Sequence, residues 1–140
     1  MTLSIYLKEF NDAKYKDLNM YTNTAHSIYT QNNVGIESPT KLIEMLYEGI
    51  LRFNAQAKKA IKDGAIDKRV YWTNRSIAVI TELITILDKS GGEVAYYLEG
   101  LYNYQIQLLS EANIHNNIEK LDEVSNVFKG LLDAWRETTN

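Results

Sequence analysis

A single proline, Pro39, occurs in 140 residues, and that scarcity limits the fold more than any other feature. Proline removes a backbone donor and clashes with the preceding helical turn, so the chain beyond it is open to long helices. Ser38-Pro39 is itself a start signal. The serine hydroxyl can cap exposed backbone N–H groups, and proline fits the first helical position, where its missing donor is not needed. Helix one is predicted from there to about Lys62, with Leu42, Leu46, Ile50, Phe53, Ala57 and Ala60 at helical spacing and Gly64 placed for a left-handed cap.

Three more helices follow by the same logic. Asp67 is expected to cap a second helix bearing Val70, Ile77, Ile80, Ile84 and Leu87, closing at Gly91-Gly92. Glu93 favours the start of a third, whose Val94, Tyr97, Leu98, Leu101, Leu108 and Leu109 read as its core face, ending in the Asn-rich stretch 113–117. The fourth carries Leu121, Val124, Phe128, Leu131, Leu132 and Trp135, with Arg136 near the negative end of its dipole. Short connections force neighbours to run antiparallel, so the fold class is all-α: an up-down four-helix bundle over 38–140. An N-terminal helical or extended cap segment, 20–37, precedes it, behind an extension, 1–19, on which Leu3, Tyr6, Phe10 and Ala13 fall on one helical face.

Composition narrows the function. Eighteen acids against fifteen Lys and Arg give a net charge of −3, and no basic stripe gathers for phosphate, so nucleic acid is not an expected partner. There is no cysteine, which removes disulfides and thiolate chemistry and suits a reducing compartment. Residues 1–19 include the charged Lys8, Asp12, Lys14, Lys16 and Asp17 and no apolar signal core, and no apolar run is long enough to span a bilayer, so a cytosolic protein without membrane insertion is expected.

Chemistry is mostly refused. Di-iron bundles need Glu-x-x-His pairs, yet the only histidines, His26 and His115, follow Asn23 and Ala112 at that spacing. Glu111 and His115 read as a solvated pair at a helix end. Glu44 and Glu48, flanked one turn away by Lys41 and Arg52, read as a solvated face rather than a buried acid pair. No cofactor, no metal and no catalytic residue is expected; a metal-dependent bundle enzyme is the reading these absences oppose.

What remains is surplus apolar surface. At about 100° per residue, Trp72, Val79 and Ile86 form a second stripe beside the core face of helix two, and Ala95, Tyr102 and Ile106 do the same on helix three, widening each arc to roughly 200°. Either the chain covers these stripes itself or they form a groove for an amphipathic partner helix. Ten tyrosines suit a surface that must tolerate water before a partner arrives. A homodimer that hides the stripes is the alternative reading.

The pattern resembles one family nearly end to end. Met20-Tyr21-Thr22 looks like its usual start, and Ile28-Tyr29-Thr30-Gln31 with Val34 like its Ala-Tyr-x-Gln-x-x-Val signature. Ser38-Pro39 is followed by Leu42-Ile43-Glu44-Met45-Leu46-Tyr47-Glu48-Gly49, the most characteristic block. Gly91-Gly92-Glu93-Val94-Ala95, Leu101-Tyr102, Ala112-Asn113 and Ala134-Trp135 complete it. In order and spacing these residues resemble the FliS family of flagellar secretion chaperones. The resemblance implies a non-enzymatic type III export chaperone that binds the disordered C-terminal region of flagellin and stops it polymerising early. It also implies that Tyr29 helps to cap the client groove, and the surplus stripes make Trp72, Val79, Ile86, Tyr102 and Ile106 the expected partner-binding residues of that groove. A largely monomeric protein, at most a weak dimer, is expected; additional contacts with the export gate and a co-chaperone stay open.

Overall fold

The computed structural model describes residues 39–139. The extension 1–19, the segment 20–37 with Tyr29, and the expected Ser38 cap lie outside the described residues. Four helices follow one another: α1 (Pro39–Lys62), α2 (Ile66–Thr85), α3 (Glu93–His115) and α4 (Ile118–Thr139). A single 3-10 turn, Lys89–Gly91, separates α2 from α3. No strand occurs among the described residues.

Each break has a local cause. Gly64 takes the left-handed conformation (φ 68°), where a Cβ would be strained, and its turn returns the Ala65 N–H to the Ala60 carbonyl at 2.9 Å. Asn116 does the same at the end of α3 (φ 55°), a conformation Asn tolerates better than most residues. Asn117 then caps α4, its Oδ1 accepting the Lys120 N–H at 3.1 Å.

Two boundaries differ from expectation. Asp67 is not the cap of α2: the helix opens one residue before it, Ala65 occupies the cap position without a side-chain bond, and Asp67 lies in the first turn. A carboxylate there still meets the positive end of the helix dipole. At its other end α2 stops at Thr85 rather than at Gly91-Gly92. The β-branched run Ile84-Thr85-Ile86 propagates a helix poorly. Asp88 then competes for the chain, its Oδ1 accepting from the Ser90 N–H at 3.0 Å and the Ser90 hydroxyl at 2.7 Å.

The helices pack as a closed ring. Each lies against its neighbours in sequence, and α4 returns to α1, the arrangement that short antiparallel connections produce. The Trp135 indole N–H donates to the Thr40 carbonyl at 3.0 Å, pinning the end of α4 to the start of α1. Diagonally opposite helices meet through side chains at the centre. The Tyr47 and Tyr102 hydroxyls stand 2.7 Å apart, and the Phe128 ring stacks on Tyr102 at 6.1 Å and tilts against Tyr47 at 5.9 Å. Lower in the bundle Asn54 ties three helices together, donating to the Ser125 hydroxyl at 3.1 Å and accepting from the Ser76 hydroxyl at 2.7 Å. Buried polar groups matched in this way fix which faces meet, since any slip in register would orphan them.

Glu44 and Glu48 are not a buried acid pair, but they have a partner on another helix. Arg136 of α4 reaches across to both, its Nε donating to Glu44 at 2.9 Å and its Nη2 to Glu48 at 2.8 Å. The acids therefore join α1 to α4, and Arg136, in the last turn of α4 as expected, serves them as well. Glu111 likewise pairs with Lys120 of α4; the Lys120 ammonium holds its carboxyl below the usual range, and His115 is exposed.

Candidate functional site

A half-buried aromatic and apolar cluster lies along the seam between α1 and α2. Trp72 stacks on Phe53 of α1 with ring centroids 5.7 Å apart, and Tyr71 meets the indole edge-on at 4.8 Å. The Arg75 guanidinium lies over Phe53 at 4.9 Å and over Tyr71 at 5.5 Å, and its Nη1 donates to the Tyr71 hydroxyl at 3.2 Å. Beside this cluster a cavity of about 350 Å³ opens between Phe53, Arg75, Ala78, Val79 and Glu82. Trp72, Val79 and Phe53 are each only half-buried. Trp, Tyr and Arg around an apolar recess is the composition that carries most binding energy in protein interfaces.

The expected residues divide into three groups. Trp72 and Val79 line this α1–α2 seam. Ile106 is also half-buried, but it belongs to the other side of α2. Arg69 of α2 donates to Asn113 of α3 at 3.0 Å, and Ile106, seven residues before Asn113, shares that α2-facing edge of α3. Ile86 and Tyr102 are 3% and 2% exposed and are core residues, so they offer no open surface. Tyr29 lies outside the described residues.

On α3 the expected core residues Val94, Leu98, Leu108 and Leu109 are buried, but three other residues depart from the expectation. Ala95 and Tyr102 are buried in line with Leu98, Gln105, Leu109 and Ala112, whereas Tyr97, read as core, is 40% exposed. The reason is at the centre of the ring: the Tyr47 hydroxyl offers Tyr102 the one partner that makes burying a phenol favourable. Burial pushes both phenols above their ordinary range; Tyr47 adds to the rise at Tyr102, while the Tyr102 hydroxyl partly offsets it at Tyr47.

Sequence reasoning missed Phe53, Tyr71 and Arg75. Phe53 keeps perfect step with the core residues of α1, so periodicity hides its position at the seam. The usable signal was Tyr71-Trp72 followed one turn later by Arg75, aromatic and cation at a spacing that shares a helix face. Among the described residues no three His, Asp or Glu side chains are grouped to hold a metal, and no helix is long and apolar enough to cross a membrane.

Comparison with known proteins places this bundle in a group. The family model described as flagellar protein FliS matches residues 21–140. A flagellar secretion chaperone FliS from Campylobacter jejuni is 59% identical over 122 residues, covering 86% of this chain and 95% of the relative. Proteins of the same description from Salmonella typhimurium and Bacillus subtilis are 31% and 30% identical, covering 84% and 80% of this chain and 92% and 84% of their own lengths. A match over nearly all of the described helices, carried by several separate sequence blocks, means that the chain belongs to the FliS family of flagellar secretion chaperones, a chaperone family rather than an enzyme family.

Proposed function

We propose that this protein is a cytoplasmic export chaperone for flagellin, which holds the disordered C-terminal segment of its client, prevents premature polymerisation and keeps the client competent for export. The observation that carries this reading is the half-exposed Trp72–Phe53 stack with the adjoining Val79 recess, present in a chain of a flagellar chaperone family. An amphipathic segment laid along α2 would place apolar residues at i, i+3/i+4 and i+7 into such a seam. A client segment that is disordered when unbound can wrap both edges of α2, reaching Ile106 on the far side, and folds as it binds. The ordering cost keeps affinity moderate for the area covered, which suits a complex that must later be released.

Within this reading Trp72, Val79 and Ile106 touch the client. Ile86 and Tyr102 support that surface from beneath, and Tyr29 caps the groove until the client arrives. Contacts with the export gate and a co-chaperone are compatible with the same scheme, and no described residue is assigned to them. The protein acts as a monomer.

Calorimetric titration with flagellin that retains or lacks its last few dozen residues tests the proposal. One-to-one binding that disappears with the truncation is expected. Equal binding of both forms would move the client contact elsewhere, and a client-free dimer by light scattering would favour self-association instead.

A further inference from the structure

At the end of the bundle where the α1–α2 and α3–α4 turns come together, Arg69 is held in an unusual way. Its Nε donates to the Asn113 Oδ1 at 3.0 Å and its Nη1 donates to the Asn116 Oδ1. Both acceptors are neutral amides. The other cations hydrogen-bonded across helices among the described residues each meet a carboxylate: Lys58 with Asp122, Lys120 with Glu111, and Arg136 with Glu44 and Glu48. Arg69 alone in that group is fixed in direction without being neutralised, and its Nη2 has no acceptor among the described residues.

The guanidinium borders a cavity of about 300 Å³ whose other walls include Ala60, Ile61, Ala65, Ile66 and Asn116. Ile66, which lines it, is 63% exposed. An apolar recess with a pinned, uncompensated arginine matches a ligand that has an apolar body and one carboxylate, because a planar guanidinium accepts a carboxylate through two parallel hydrogen bonds.

We propose that this recess is an anchor for the free α-carboxylate at the end of the client polypeptide, with the last side chains of the client against Ile61 and Ile66. The assignment rests on the flagellin reading. A C-terminal segment brings one group that no internal segment has, its terminal carboxylate, and Arg69 is the charge-complementary group placed to receive it. The asparagines orient the fork before the client arrives, so little rotamer freedom is lost on binding. The anchor would also fix the direction in which the client runs along α2, whose first turn contains Arg69.

The test compares two synthetic peptides of the flagellin C-terminal sequence, one ending in a free carboxylate and one in a carboxamide, titrated into the wild-type full chain and into Arg69→Gln. A charge-assisted contact of this kind corresponds to an affinity difference of about tenfold or more. The carboxylate peptide is expected to bind the wild type tighter than the carboxamide by that factor. In Arg69→Gln the difference should vanish, with carboxamide affinity unchanged, which also shows that the variant remains folded. Equal binding of the two peptides to the wild type would overturn the anchor while leaving the client reading intact; this arm needs no variant. Binding of neither peptide would remove both.

Discussion

The apolar stripes of α2 and α3 look alike in sequence and end differently. On α2, Trp72 and Val79 stay half-exposed over the α1 seam, while Ile86, next in the same sequence stripe but past the helix end at Thr85, is buried. On α3, Tyr102 turns inward and Tyr97 outward. Stripe width tells how much apolar surface a helix carries. Which edge of that stripe is hidden depends on where the neighbouring and diagonal helices stand, and on whether they offer a partner for a polar tip. The two regions therefore differ in what they can contribute: the Tyr47–Tyr102–Phe128 centre is interior packing, and the Phe53–Trp72–Arg75 edge is the surface to which the proposed function assigns recognition.

Variants can break this division, and the interior should give the largest effect. Tyr102→Ala removes a stacked ring and orphans the Tyr47 hydroxyl, and is expected to cost about 3–5 kcal/mol in urea unfolding. Replacing both tyrosines by Phe removes both polar tips together and should cost far less than the single alanine. A double variant as damaged as Tyr102→Ala would mean that the hydroxyl pair itself, rather than ring packing, holds the centre.

The edge gives the next effect, and it should appear in binding. Trp72→Ala is expected to weaken the client complex by about 2 kcal/mol or more, the range of interface hot spots, with a smaller loss of stability. Ile86→Ala should show the reverse, costing about 2–5 kcal/mol of stability while the folded fraction binds nearly normally. Loss of client affinity in Ile86→Ala equal to that in Trp72→Ala, measured by calorimetry, would erase the boundary between support and contact.

The smallest effect is expected from pH. Burial raises the folded-state pKa of Tyr47 and Tyr102 above the unfolded value near 10. Protonated phenol is the form the fold prefers, so this contribution is complete below about pH 10 and is lost as pH rises beyond it. The urea midpoint should therefore fall more between about pH 9 and about pH 11 in the wild type than in the double Phe variant. Parallel curves would show that the pair does not govern alkaline stability.

Much of the fold was legible because its signals are local. Pro39 at the opening of α1, Gly64 with positive φ, Glu93 in the first turn of α3 and the asparagines at 116–117 act through their own backbone preferences. The early stop of α2 was less so, because Asp88 outweighs Gly91-Gly92 only through a specific bond to Ser90. The candidate site was half legible. Trp72, Val79 and Ile106 keep open surface, but Ile106 lies across α2 from the other two, and Phe53 and Arg75 join them from positions that periodicity assigns to core or solvent.

The sequence by itself determined four amphipathic helices, their order, their antiparallel closure and the family to which they belong, since helical periodicity, caps and short turns are encoded within a few residues of one another. Only the tertiary structure decided that Tyr102 is interior, that Arg136 serves Glu44 and Glu48, and that Arg69 meets amides instead of acids. Those outcomes depend on groups 44 to 92 positions apart, and the free energy of burying a phenol or a charge is set by the partner that packing supplies.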